Sequence, residues 1–135
     1  MSLGLHTSIG NAVRVTTTRA GADRVEFHAI PFDGTRVVAT AVLSGELDAV
    51  GAELVFDELW VAPEVRGTGI GTRVTRAAIT WADLHLAAGI DTYVAAENVA
   101  MQRLLEQLGF ERRPELEHGE DTWKQIFALS LELAG

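Results

Sequence analysis

A strand that runs straight into a glycine-punctuated helix start is the feature that most limits the folds open to this chain. Residues Val61-Ala62-Pro63-Glu64-Val65-Arg66-Gly67-Thr68-Gly69-Ile70-Gly71-Thr72 carry it. Upstream, Glu53 to Val61 is rich in β-branched and aromatic residues and stops before Pro63, which has no N–H for a sheet ladder. Downstream, apolar residues recur at Ile70, Val74, Ala77, Ala78, Trp81, Leu84 and Ala88, the spacing of an amphipathic helix, with Gly89 as its stop. The glycines therefore sit at a helix N-terminus. There the first amides lack intrahelical partners and the dipole is positive, so the junction suits a phosphate group, and Arg66 can add a charged donor.

Two familiar glycine-rich motifs do not fit. In Gly67-Thr68-Gly69-Ile70-Gly71 the third glycine follows the second by two residues where the dinucleotide fingerprint needs three, and no Gly-Lys-Ser/Thr ending follows. The stretch instead resembles the acyl-CoA loop of the GCN5-related N-acetyltransferase (GNAT) family, Arg/Gln-x-x-Gly-x-Gly/Ala after a strand ending in Val-x-Pro. Arg66-Gly67-Thr68-Gly69-Ile70-Gly71 matches each fixed position. A second block is similar to the family's later strand, Asn-bearing turn and closing helix. Thr92 to Ala96 reads as a strand, and Glu97 to Phe110 as a loop and helix ending on Leu108-Gly109-Phe110. The resemblance is good over residues 53–113 and loose elsewhere.

The resemblance implies an α/β (α+β) fold with a mixed, mostly antiparallel sheet flanked by helices. It implies acetyl-CoA as acyl donor and a primary amine as acceptor, with direct attack by the amine. The backbone of Leu59, Trp60 and Val61 would then hold the cofactor arm and polarise the thioester, while Arg66, Gly67, Thr68, Gly69, Ile70, Gly71 and Thr72 would hold the pyrophosphate. Asn98 matches the family's cofactor-arm asparagine and is equally a good helix N-cap. For the base, Glu58 is preferred. Asp57 and Glu53 share its strand, and period-two alternation sends Asp57 and Glu58 to opposite faces. Leu105 stands where many family members have a proton-donating tyrosine; Tyr93 on the neighbouring strand is a substitute acid through a water, and His118 another candidate. Each of these residues also has a plain structural reading, as packing or solvated side chains.

Elsewhere, Arg24 to Ile30 and Thr35 to Leu43 read as antiparallel strands joined through Pro31-Phe32-Asp33-Gly34, and Gly45 to Gly51 as a turn. An earlier strand includes Ala12 to Thr18, so three or four strands precede the first helix. Thr16 to Asp23 is too short and polar for the one or two helices the family usually inserts there. That departure predicts either an open acceptor cleft or a wall lent by a second subunit of a homodimer. Arg112 to Asp121 reads as an acidic loop before a final strand or strand pair within Trp123 to Leu133.

Composition bounds the rest. At 135 residues the expectation is one domain, 1–135, burying roughly two thirds of its unfolded surface. No apolar run reaches membrane-span length, and residues 1–11 lack a secretory pattern, so a cytoplasmic, membrane-free protein is expected. The net charge of −8 argues against nucleic acid and mildly favours cationic acceptors such as polyamines, aminoglycoside-like compounds, protein lysine or a protein N-terminus. The absence of cysteine removes thiolate nucleophiles, and the four histidines show no ligand spacing, so no metal is expected. Two other functions remain open: a non-catalytic acyl-CoA-binding or regulatory domain, and a protein-interaction module that keeps the fold.

Overall fold

A computed structural model describes residues 12–117 and 124–131. The elements run β1 (Val13–Arg19), β2 (Arg24–Pro31), β3 (Ala39–Ser44), β4 (Glu53–Val61), α1 (Ile70–Leu84), β5 (Gly89–Ala95), α2 (Val99–Gln107), β6 (Glu111–Arg112) and β7 (Lys124–Ser130). They form one seven-stranded sheet in the order β1-β2-β3-β4-β5-β7-β6. Every neighbouring pair is antiparallel except β4 and β5, which α1 joins as a parallel crossover. The mixed, mostly antiparallel α/β fold expected from sequence is the fold observed.

Alternation decides the two faces of the sheet. Val25, Phe27 and Ala29 on β2 lie opposite Leu43, Ala41 and Ala39 on β3, and all six are fully buried. The buried face of α1, Ile70, Val74, Ala78 and Ala82, packs into the same core. Leu105 of α2, Phe110 and Phe127 of β7 extend that core toward the other sheet edge. Fully burying a side chain of the size of Phe27, Phe56 or Leu54 contributes about 1.5–3 kcal/mol, so this one face supplies most of the drive to fold. Arg24, Glu26 and His28 occupy the alternate positions of β2 and form a polar opposite face with Thr16 and Thr18 of β1 and Thr40 of β3. The β1–β2 connection is residues 20–23, which leaves no length for helices over that polar face.

Several local expectations are corrected by long-range pairing. β3 begins at Ala39, not Thr35, because the β2 ladder meets β3 at Ala29↔Ala39 while Ile30 and Pro31 pair only with β1. Asp33-Gly34 is therefore a turn at the start of a longer connector, closed by the Gly34 N–H on the Pro31 carbonyl at 3.1 Å, and not a hairpin apex. Helix α1 ends at Leu84, five residues before Gly89. Its stop is Leu86, left-handed at φ 62°: the Leu86 and Ala87 N–H groups donate back to the carbonyls of Asp83 and Ala82. Gly89 instead opens β5, where a Cβ would come 2.9 Å from the Leu129 carbonyl oxygen. The short β6 leaves no mark in the sequence, because a two-residue strand has no periodicity of its own. Within the final segment the described residues form a single strand, β7; Trp123, the end of that segment and most of the acidic loop, His118 included, lie outside the described residues.

Candidate active site

The parallel pair that α1 creates does not last. β4 and β5 pair only at Glu53↔Gly89, Leu54↔Ile90 and Val55↔Asp91. Beyond Val55, β4 stays with β3 to Val61, and beyond Asp91, β5 stays with β7 to Ala95, so the two strands part. The inner edges of Phe56–Val61 and Thr92–Ala95 are left without a ladder between them. Backbone amides and carbonyls in such a wedge need partners, which an extended, amide-bearing ligand can supply.

The cause of the parting is visible on β4. Against β3 the register runs Thr40↔Trp60 and then Val42↔Asp57, so β4 spends one extra residue there. This is a β-bulge, and Glu58 sits in it at φ 56°, a region that non-glycine side chains seldom adopt. Asp57 accepts the Glu58 N–H on Oδ1 at 2.7 Å, which supports the turn. The bulge breaks the alternation assumed from sequence: Asp57 and Glu58 both line the gap, a cavity of about 200 Å³ that also takes in Leu59, Thr92, Tyr93 and Met101. Tyr93 reaches it from β5 with 51% of its surface exposed. Glu53 does not reach it, because its pairing with Gly89 fixes it at the closed end of the wedge. Leu105 is 0% exposed within the core, where no proton donor stands in its place.

The gap continues into a longer groove of about 570 Å³ along the glycine loop. Leu59, Asn98 and Met101 line both spaces. Leu59, Trp60, Val61, Arg66, Gly67, Gly69, Gly71 and Thr72 form one wall, and Ala100 and Leu104 of α2 join the other. Gly69 is the N-cap of α1 at φ 91° with no side-chain cap, so the first amides of the helix remain available to an anion. The Arg66 Nε–H donates to the Val61 carbonyl at 3.0 Å, which holds its guanidinium across the loop. The Glu64 carboxyl on the same loop lies below the ordinary carboxylate range; its own backbone N–H is the main cause, followed by Arg36 and by the charge of Arg66. Thr68 and Ile70 are turned elsewhere: the Thr68 hydroxyl donates to the Val65 carbonyl at 2.5 Å, and Ile70 is 2% exposed. Neither lines the groove.

Asn98 does cap α2, accepting the Met101 N–H on Oδ1 at 3.2 Å. It also lines both gap and groove, so the cap and the cofactor contact are compatible: the cap uses Oδ1 and leaves the amide N–H₂. Sequence reading missed Met101 and Leu104 as groove residues, because their helical spacing signals packing equally well. His28 lies on the polar face, 3.5 Å from Glu26 through Nε2. No cluster able to hold a metal ion occurs among the described residues, and no helix among them is long and apolar enough to cross a membrane.

A wedge that opens beside a bulge and runs into an uncapped helix start accommodates one particular shape of ligand. The wedge exposes strand edges to an extended chain, and the glycine loop exposes helix amides to an anion. The family model for the acetyltransferase (GNAT) family matches residues 11–110. No curated protein shows a significant sequence match. The same fold occurs in a GNAT family acetyltransferase from Elizabethkingia anophelis with acetyl-CoA bound, at TM-score 0.70 and 11% identity over 88% of this chain and 98% of that one. It also occurs in the ribosomal-protein-S18-alanine N-acetyltransferase of Escherichia coli, at TM-score 0.69 and 23% identity over 86% and 74% of the two chains. Arabidopsis thaliana NAA60, in complex with a bisubstrate analogue, gives 0.67 and 14% over 84% and 79%. At such low identities these structures speak for the fold alone, but the family match covers both parted strands and the glycine loop between them. The chain belongs to the GNAT acetyltransferase family.

Proposed function

We propose that the protein transfers an acetyl group from acetyl-CoA to a primary amine by direct attack. The observation that carries this reading is the parting of β4 and β5 beside the Glu58 bulge, opening without interruption into the glycine-loop groove. The amides at the start of α1, with Arg66, would neutralise the pyrophosphate, and the Leu59–Val61 edge, apart from the Val61 carbonyl that Arg66 takes, would hold the amide-bearing arm with Asn98. Acetyl-CoA supplies, when bound, an activated thioester carbonyl.

The chain's own task is then alignment and proton removal. An amine of pKa about 10.4 costs roughly 4–5 kcal/mol to deprotonate at neutral pH, so a base or water relay is valuable. Glu58 is that base: the residue lines the gap, and its exposed carboxylate, paired with Arg24 at 3.3 Å, gives a proton a route to solvent. As the C–N bond forms and the C–S bond breaks, the departing thiolate takes a proton, with Tyr93 as the nearest phenol lining the gap. A thiolate of pKa about 8.5 is a fair leaving group even unaided, so the leucine at position 105 slows transfer without forbidding it. With no cysteine in the chain, an acyl-enzyme route through a thiol is closed. Membership of this family and the structural neighbours support a small-molecule amine, or a protein lysine or N-terminus, as acceptor; the cytoplasmic setting read from the sequence is part of the same proposal. The uncovered polar face of the sheet fits either an open acceptor cleft or a homodimer in which a partner supplies the wall.

The buried Leu105 favours one second reading, a non-catalytic acyl-CoA-binding or regulatory domain. Calorimetric titration with acetyl-CoA, followed by thiol release with a panel of polyamines, monoamines and basic peptides, separates the two. Binding with thiol release on an amine is the expected result. Binding without release on any amine favours the regulatory domain, and no binding overturns both.

A further inference from the structure

A second recess opens on the polar face of the sheet, beside the gap. It measures about 160 Å³; β3 forms its floor, with Arg24, Glu26 and His28 of β2 on one side and Glu58 of β4 on the other. Glu58 also lines the gap, so the two spaces share this residue. Arg24, Glu26 and His28 share this face because they are alternate residues of one strand, and Glu58 joins them only because the bulge turns it there.

The side chains converge on one small volume. The Arg24 guanidinium donates through Nε to Glu26 at 3.1 Å and through Nη1 to Glu58 at 3.3 Å, reaching across β3 to do so. The other oxygen of Glu26 faces His28 at 3.5 Å. Two carboxylates from different strands therefore flank a single cation-sized space, and the chain's own guanidinium lies in it. The Arg24 side chain is 40% exposed, and ion pairs so open to water are weakly held, so an incoming cation can take its place.

We propose that this recess binds a second positive charge of the acceptor, so that the protein selects linear diamines and polyamines over monoamines. The proposal rests on the reading of the gap as the transfer site. Glu26 is the anionic wall farther from the gap, Glu58 stands at the junction, and Arg24 is an internal cation that yields to the substrate. A diamine lying across the junction presents one amine to the gap and leaves its distal ammonium between the carboxylates. A monoamine has nothing to offer there and leaves Arg24 in place. The uncovered polar face matters for this, since helices packed across it would close the recess.

The test uses putrescine, a linear diamine, and butylamine, the same chain with one charge, each titrated calorimetrically into the protein without acetyl-CoA. Putrescine is expected to bind about tenfold more tightly, the ratio that one charge-assisted hydrogen bond supports. Glu26→Gln removes that advantage, while Arg24→Gln, which empties the space, tightens putrescine binding several-fold. Opposite effects at neighbouring residues separate a binding role from lost structure, and thermal melts of both variants monitor the fold. Equal affinity for the two amines, or a response of the same sign from both variants, overturns the proposal. Acetyl-CoA titrated in parallel keeps the two readings apart. If it fails to bind, the transferase reading falls and the acceptor role of the recess falls with it, whatever putrescine does. If it binds and thiol is released as readily with butylamine as with putrescine, the transferase stands and the subsite falls.

Discussion

Glu58 is the residue on which the proposed chemistry is most exposed to test. It is held in a left-handed backbone conformation by a bulge that the Asp57 side chain supports, and it lines both the gap and the recess on the polar face, where its carboxylate meets Arg24. Glu58→Gln keeps the shape and removes the base, so kcat/KM for amine transfer is expected to fall by about 10² to 10⁴ while calorimetric affinity for acetyl-CoA is kept. Glu58→Gly, by contrast, relaxes the strained backbone and is expected to raise the melting temperature at the expense of activity. Tyr93→Phe removes only a proton donor to a leaving group that departs tolerably unaided; a smaller loss in kcat, within about tenfold, is expected, with unchanged KM for acetyl-CoA. A Tyr93→Phe enzyme as impaired as Glu58→Gln would mean that thiolate departure limits the rate. Of these side chains, the type and strand of Glu58 were legible in the sequence and its direction was not. Alternation predicts opposite faces for Asp57 and Glu58, and only the register against β3 reveals the extra residue that brings both to the gap.

At the scale of elements, the glycine loop shows what a local motif can and cannot tell. The helix start was readable because the requirement is local: Gly69 at φ 91° caps a helix with free amides, and a side chain there meets the cost of a left-handed backbone. Gly69→Val is therefore expected to cost about 1–3 kcal/mol in stability, seen in denaturant unfolding, and to weaken acetyl-CoA binding by at least an order of magnitude in calorimetry. A variant that loses stability and retains full affinity would separate the loop from the ligand. The helix end was not readable, because Gly89 looks like a stop while the actual stop is Leu86, a residue that favours no left-handed turn and adopts one only as the chain doubles back to pair Gly51 with Leu86 and Ala88 with Ala52. Gly89 serves a non-local need, the close approach of the Leu129 carbonyl from β7. Gly89→Ala is expected to destabilise the closed end of the wedge by about 1–3 kcal/mol, more than an exposed strand glycine would. The splaying of β4 from β5, the feature that makes the site, is likewise a matter of pairing between segments some 35 residues apart in sequence, as Glu53↔Gly89 illustrates, and no periodicity within either strand records it.

Among the described residues, one face of the sheet is apolar and covered by α1 and α2, and the other is polar and open, and several of the chain's carboxylates are paired with arginines at the surface. Glu117 illustrates the consequence. It accepts two hydrogen bonds from Arg112 and one from the Ile126 N–H at 3.0 Å, and so fastens the segment after β6 to β7. Those bonds, with Arg112 first, hold its carboxyl below the ordinary value of 4.5. Glu115 is lowered too, by its own backbone N–H and then by Arg113, and Glu64 by its own backbone N–H and then by Arg36. A carboxylate whose folded pKa lies below its unfolded one binds fewer protons when folded, so its contribution to stability is complete above pH 4.5 and is lost as the pH falls through the folded value. Urea unfolding midpoints are thus expected to be flat through the neutral range and to drop on acidification below the ordinary carboxylate range. Glu117→Gln should lower the neutral plateau and flatten that drop, because the substituted side chain no longer titrates and, with one amide oxygen in place of two carboxylate oxygens, keeps at most one of the two arginine bonds, now a neutral-acceptor one. The same variant leaves the gap and the glycine loop untouched, so the thiol-release rate per folded molecule should not change. An unaltered acid limb in Glu117→Gln would assign the loss of stability to the remaining carboxylates, with Glu64 beside the glycine loop as the next position to replace.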